Sequence, residues 1–510
     1  MSKTSGCTVN VNPTYGIHSG EPVTAPKPFS RVHLLESDYV RDQLAIRALV
    51  LNEKRLQPEG EYVLYWMQST HRFEDNWALR FAVREADRLN RPLLIHQGLD
   101  PTYEHANDRI HTFILQNARE LAKRAAALGL TYQFVLRRRR DDDRRVVDRL
   151  AARACLIVTD RYPTAGIAER TARFAERAPC RVTAVESHCV VPAGSFGKEE
   201  YAARTIRPKL AKLRELSLQP AADGAARKAL SAKIFDSLEC DALPIATMSD
   251  ADIAAEVAKC EIDHTVPAVA SKFIVSGLPS ARARLDAFCS DALVDYADRR
   301  NEPSDYDGSS RLSPYLHFGQ ISAAEVARTV SERGKPEQVE KFLDELITWR
   351  ELSFNFCLLN ANHGKLKGLP DWAHRTMDAH KDDKREVIYT REQLENAKTH
   401  EPLWNAAQLE LRATGAVHNA VRMLWGKSAL LWTERYKHAL EHLIVLNNKW
   451  GLDGRDPSSF GGIQWCFGKF DRPWFDKPIW GVIRPMTIKR AYEKFDAETY
   501  IARWESESAS

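Results

Sequence analysis

The segment FLDELITWRELSFNFC, Phe342 to Cys357, sets Glu345 four residues before Trp349, so a helix puts both on one face. A carboxylate beside an indole can hydrogen-bond the edge of a nucleic-acid base while the ring stacks on it. The plain alternative is a core tryptophan next to an exposed glutamate. A second set lies between Pro402 and Thr433, in PLWNAAQLEL and GAVHNAVRMLWGKSALLWT. There Arg422, Trp425 and Trp432 follow Asn419 at offsets 3, 6 and 13, close to one helical stripe. Such a stripe is either core packing or a row of rings able to pass electrons.

Two further segments are rich in turn and cap residues. In DYADRRNEPSDYDGSSRLSPYLHFGQIS, Asp295 to Ser322, Gly308, Ser309 and Ser310 precede LSPYL, which opens a helix with Pro near its first turn. Small hydroxyl residues there either cap the helix or present N–H and O–H groups to a phosphate. In IVLNNKWGLDGRDPSSFGGIQWCFG, Ile444 to Gly468, DGRDP reads as a turn and the paired glycines allow close backbone approach. His438 and His442 share a helical face in HALEH, but no third metal ligand accompanies them. The nine cysteines are scattered without CxxC spacing, so a zinc or iron–sulfur signature is missing and a reducing compartment is expected.

The elements that must carry these residues divide the chain in two. From Tyr62 to about residue 187, YVLYWM, PLLIH, YQFVL, CLIVTD and VTAVES alternate with amphipathic stretches at 76–90, 108–129, 142–153 and 166–178. That alternation predicts βαβ units and a parallel sheet, within an α/β domain spanning 31–214. The sheet lacks GxGxxG and GxxxxGK[ST] loops. Residues 1–30 read as a disordered tail, and 215–270, Ala-rich with Pro220, Pro244 and Pro267, as a partly helical linker. Residues 271–510 read as an all-helical domain, with ten of the twelve tryptophans after residue 348. A net charge of +4 on 510 residues does not by itself announce a nucleic-acid binder, so any such face must come from charge distribution. The run Arg137–Arg140 followed by Asp141–Asp143 reads as a solvated charged loop. No leader or membrane span is evident, so an intracellular location is expected: cytoplasmic, or nuclear in a eukaryote.

Taken together, SSRLSPYLHFGQIS, ELITWRE, the tryptophan stripe and DGRDP resemble the class II cyclobutane-pyrimidine-dimer photolyases, of the photolyase/cryptochrome family. The N-terminal stretches YVLYWMQSTHRFEDNWAL and EYAARTIRPKL share the resemblance, which runs through residues 40–504. It implies a Rossmann-like antenna domain, a helical domain holding FAD, and light-driven repair of UV-damaged DNA by a monomer. It gives the FAD contacts as Tyr296, Gly308, Ser309, Ser310, Arg311, Leu312, Ser313, Arg350, Asn419, Arg422, Asn447 and Asp453. By the same resemblance, Arg422 is expected to pair with Asp453 and Asn447 to lie near flavin N5. It implies a lesion pocket of Glu345, Trp349 and Trp465, with Arg300 meeting DNA phosphate. It implies Trp425 nearest FAD, Trp404 and Trp432 further along an electron route, and Tyr389 assisting. Class I relatives supply the N5-side asparagine after the aspartate, where this chain has Ser459; here it precedes, as class II members have it. Asn448 departs from the acidic residue usual at its position. An antenna pigment, deazaflavin or folate, is expected on the sheet domain. The alternative reading is a cryptochrome-like photoreceptor without repair activity.

Overall fold

A computed structural model describes residues 37–509, so the expected tail at 1–30 lies outside the described residues. The strands are β1 (Ala48–Val50), β2 (Tyr62–Met67), β3 (Leu93–Leu99), β4 (Tyr132–Leu136), β5 (Ala154–Asp160) and β6 (Val182–Val185). They form one sheet in the order β1-β6-β5-β2-β3-β4, parallel except for β1 at the edge. β2 is apolar throughout because both of its faces are covered and every residue in it is buried. The helix Trp77–Leu89 starts where the Asn76 side chain accepts from the Leu79 N–H. The helix Asp108–Leu128 stops at Gly129, whose φ of 68° suits a residue without a side chain. The chain turns one way from β2 to β3 and β4, and the other way to β5 and β6. The crevice at the C-terminal end of β2 is therefore the topological switch point.

The helix Asp38–Arg47 and β1 fall before the first strand read from sequence. The polar pattern of that helix hides a buried role: Arg47 pairs with Glu186 at 2.8 Å and donates to the Val190 carbonyl. Residues 215–270 are more than a linker. Leu238, Ile245, Ile253, Val257 and Cys260 are buried, so this stretch wraps over the sheet and its neighbouring helices. The basic run is likewise not wholly solvated. Arg137 is buried and ion-paired with Asp100, and Arg138 pairs with Glu256, leaving Arg139 and Arg140 exposed.

Beyond residue 277 the described chain is helical, with four helices central to the site: Pro402–Thr414, Asn419–Leu431, Tyr436–Trp450 and Pro457–Cys466. Buried arginines join this part to the sheet. Arg72 donates to the carbonyls of Ser187 and Gly319, and Arg109 to those of Pro267, Leu411 and Trp450. No helix among the described residues is long and apolar enough to cross a membrane.

Candidate functional site

The helices Asn419–Leu431 and Pro457–Cys466 pack closely, since a Cβ on Gly426 would lie 2.7 Å from the Cys466 sulfur. Between them and the end of Tyr436–Trp450 lies a first cavity, lined by Arg350, Asn419, Arg422, Trp425, Asn447 and Asp453. The Asp456 side chain caps Pro457–Cys466, with Pro457 at its first turn. Arg422 Nη2 lies 2.8 Å from Asp453 Oδ1, and the Ser313 hydroxyl donates to Asp453 Oδ2 at 2.8 Å. Burial pushes the Asp456 carboxyl up, but the His317 hydrogen bond and the Arg350 charge outweigh it and hold it below the ordinary range. Asn448, beside Asn447, accepts the Arg455 N–H at 2.9 Å on its side-chain oxygen. A carboxylate there would offer the same acceptor, so the neutral residue keeps this contact. The cavity encloses about 170 Å³, below the several hundred Å³ usual for cofactor sites. Its fit to a cofactor therefore rests on donor chemistry.

The segment before Ser313 is held from behind. Arg284 donates to the carbonyls of Ser309 and Ser310. Arg311 has a φ of 50°, and its guanidinium pairs with buried Glu410 at 3.1 Å and lies over Tyr306. The Arg311 side chain is thus committed to structure, and Leu312 is buried. Tyr296 packs edge-on against Phe288 and Phe342 and lies apart from the lining of the first cavity. Gly308 has no room for a side chain, because a Cβ would meet Asp305 Oδ2 at 2.6 Å.

The tryptophans form a connected row. Trp425 stacks with Trp404 at 6.2 Å and 12°, and Trp404 meets Trp432 edge-on at 5.8 Å. Trp432 then meets Tyr389 at 5.7 Å and exposed His400 at 5.2 Å, so the row reaches the surface. Two hydrogen bonds fix its inner end: Trp425 Nε1–H to Gln408 Oε1 at 3.1 Å, and Trp404 Nε1–H to the Trp425 carbonyl at 3.0 Å.

Glu345 and Trp349 sit in a π-helical stretch, Asp344–Trp349, a feature common at functional sites. Glu345 is ion-paired with Arg300 at 2.9 Å and Lys341 at 3.2 Å. Arg300 is therefore tied to Glu345 within the protein, whereas sequence reasoning had set it free for phosphate. Trp465 is half-buried, with the Lys427 ammonium 4.6 Å and the Arg484 guanidinium 5.6 Å from its ring centre.

A second cavity of about 810 Å³ opens at the switch point of the sheet. His96 and Gln97 of β3, His71, Tyr162 and Arg455 are among its walls. Several buried polar atoms there have no partner: His71 Nδ1, Gln97 Nε2 and Arg455 Nη2. Burial lowers His71 and His96 to about 4, so both are neutral near pH 7. A buried bridge separates the two cavities. The Tyr162 hydroxyl donates to Asp456 at 2.9 Å, and His317 lies 3.3 Å from the same oxygen.

A DNA photolyase family model matches residues 63–226. The deoxyribodipyrimidine photo-lyase of Methanothermobacter thermautotrophicus is 34% identical over 89% of this chain and 96% of its own length. The chain belongs to the DNA photolyase family. Its fold is also that of a Sulfolobus tokodaii photolyase (TM-score 0.62, 19% identity, 87% of this chain and 89% of that one). A Synechocystis cryptochrome matches equally well (TM-score 0.63, 17% identity, 87% and 88%).

This family implies FAD, and the first cavity of this photolyase-family chain suits its flat polar ring. Guanidinium groups (Arg350, Arg422) and amides (Asn419, Asn447) face apolar Met423 and Ile463. Sequence reasoning missed the second cavity, whose walls come from strands, helices and loops far apart in the chain. It also missed Arg472, Trp474 and Arg484, where both guanidiniums lie over Trp474 and that of Arg484 also over Trp465, and Phe475, 84% exposed and next in the chain to Trp474. A run of aromatic and basic residues, RPWF, was the available signal.

Proposed function

We propose that this chain is a class II photolyase that repairs cyclobutane pyrimidine dimers in DNA with light. The observation that carries the reading is the row Trp425–Trp404–Trp432–Tyr389, which leads from the cavity with the Arg422–Asp453 pair to the surface. The class II assignment is supported by Asn447, which reaches that cavity from the helix before Asp453.

FAD, when bound, absorbs light and lends one electron that it later recovers. The protein does the rest. A damaged base step stacks poorly, so flipping it out of the duplex costs less than for intact bases. Trp349 and Trp465 offer rings for it to pack on, and Glu345 a polar contact held in place by Arg300 and Lys341. Arg422, fixed by Asp453, keeps positive charge beside the cofactor without any reorganisation during reaction. The second cavity is the proposed seat of the antenna. Its donors on Gln97 and Arg455, with an acceptor on His71, suit a heteroaromatic bearing both carbonyl and N–H groups.

The test is light-dependent splitting of a dimer-containing oligonucleotide by chemically pre-reduced protein. We expect repair, and a lower quantum yield for Glu345→Ala at saturating substrate with FAD content unchanged. No repair by wild-type protein that carries FAD would favour a photoreceptor instead. An unchanged yield in the variant, with only binding weakened, would reduce Glu345 to positioning.

A further inference from the structure

Lys427 lies on the helix Asn419–Leu431 two residues after Trp425, so the two side chains leave the helix in different directions. It is fully buried, and its Nζ has no hydrogen-bond partner. Instead the ammonium lies over two rings, Trp465 at 4.6 Å and Trp480 at 5.9 Å. Trp465 carries a second cation, Arg484 at 5.6 Å. The row of Trp425, Trp404 and Trp432 is the reverse. Among the described residues no lysine or arginine sits over these rings, and the N–H groups of Trp425 and Trp404 point at oxygen atoms.

We propose that Lys427 is a positioning residue that makes Trp465 a poor electron donor, so that electrons enter only through the Trp425 row. The inference rests on the proposed flavin function. A cation over a neutral indole is attracted by the electron-rich face. Removing one electron from the ring leaves an indole radical cation, and the attraction becomes repulsion at close range. Lys427 is buried, so salt and water screen this little. An oxygen facing an indole N–H acts the opposite way and favours the oxidised ring. Without this sorting, Trp465 has the proximity to compete: Gly462, Ile463 and Cys466 on its own helix line the first cavity. Its loss of an electron would damage a wall that faces the substrate. Electron balance is simple. One electron leaves a tryptophan for the light-excited oxidised flavin, and an external thiol refills the outermost ring.

Burial lowers the Lys427 amine to about 8, with Cys466 and Asp471 on the opposing side and Arg484 reinforcing it. It is thus largely cationic at pH 7. Cys466, raised to about 11 by burial, keeps its proton beyond that point.

The experiment illuminates FAD-loaded protein without thiol and maps oxidised tryptophans by mass spectrometry. In wild type we expect oxidation along the row, with Trp465 spared. In Lys427→Met we expect Trp465 oxidation to rise several-fold, with Lys427→Arg restoring protection. Wild type moved from pH about 7 to about 9.5, which neutralises an amine titrating near 8, should show the same rise without any substitution. The double variant Trp425→Phe with Lys427→Met should regain part of the flavin photoreduction that Trp425→Phe alone has lost. Unchanged Trp465 oxidation in Lys427→Met and at high pH would overturn the proposal. Wild-type photoreduction in Trp425→Phe alone would instead overturn the electron-row reading beneath it.

Discussion

The two cavities satisfy their polar groups to different degrees. The first, among the helices, balances its charges internally, Arg422 with Asp453 and Ser313 with the same carboxylate, and leaves Ser458 Oγ as the one unpaired buried side-chain atom among its described lining residues. The second, at the switch point of the sheet, leaves His71, Gln97 and Arg455 with buried atoms unpaired. A site with internal partners keeps its geometry when empty, which suits a cofactor whose orientation decides the chemistry. A site with orphan groups gains most from its occupant, because each unpaired buried group costs about 1–3 kcal/mol until it is met. The first is built to position, the second to capture.

Breaking the internal balance of the first cavity should have the largest effect. Asp453→Ala leaves Arg422 without its partner and frees Ser313, costing about 3 kcal/mol by the usual penalty for a broken buried pair. We expect FAD per chain, measured after denaturation, to fall by an order of magnitude or more. Full retention would show that the pair is not part of the cofactor seat.

A smaller effect is expected in the second cavity. Gln97→Glu keeps the oxygen that accepts from Tyr132 at 2.7 Å but replaces the orphan donor with an acceptor. Occupancy by the second pigment should drop about tenfold, the effect of roughly one lost hydrogen bond, with FAD unchanged. Absorbance of extracted chromophores reads both. Equal loss of the two would mean that the cavities are not independent.

A third test is a pH effect that arises in the second cavity. His96 titrates near 4 in the folded chain against 6.5 ordinarily, because burial disfavours its charged form. Between those values the unfolded chain binds a proton that the folded chain refuses. Stability is therefore full above pH 6.5 and falls as pH drops toward 4. The slope from this residue is about 1.4 kcal/mol per pH unit. Denaturant unfolding of His96→Gln should show a correspondingly flatter pH profile in that window. A profile parallel to wild type would place the acid sensitivity elsewhere, for instance at His71.

Periodicity determined the strands β2 to β6 and their helices, since a strand buried on both faces must be apolar at every position. It could not determine the helix Asp38–Arg47, where Arg47 is buried only because distant Glu186 meets it, or the packed stretch 215–270, whose scattered apolar residues are buried only because distant elements cover them. Local spacing also determined that Arg422 and Trp425 share a helix. Tertiary structure alone decided that Trp404, on another helix, completes the row, since a stacking distance depends on how two helices pack. It alone decided that Arg300 is held by Glu345, that Arg311 turns to Glu410, and that Lys427 is buried over Trp465. Charge is written in the sequence; whether a charge is solvated, paired or set against a ring depends on what the fold brings within a few ångströms of it.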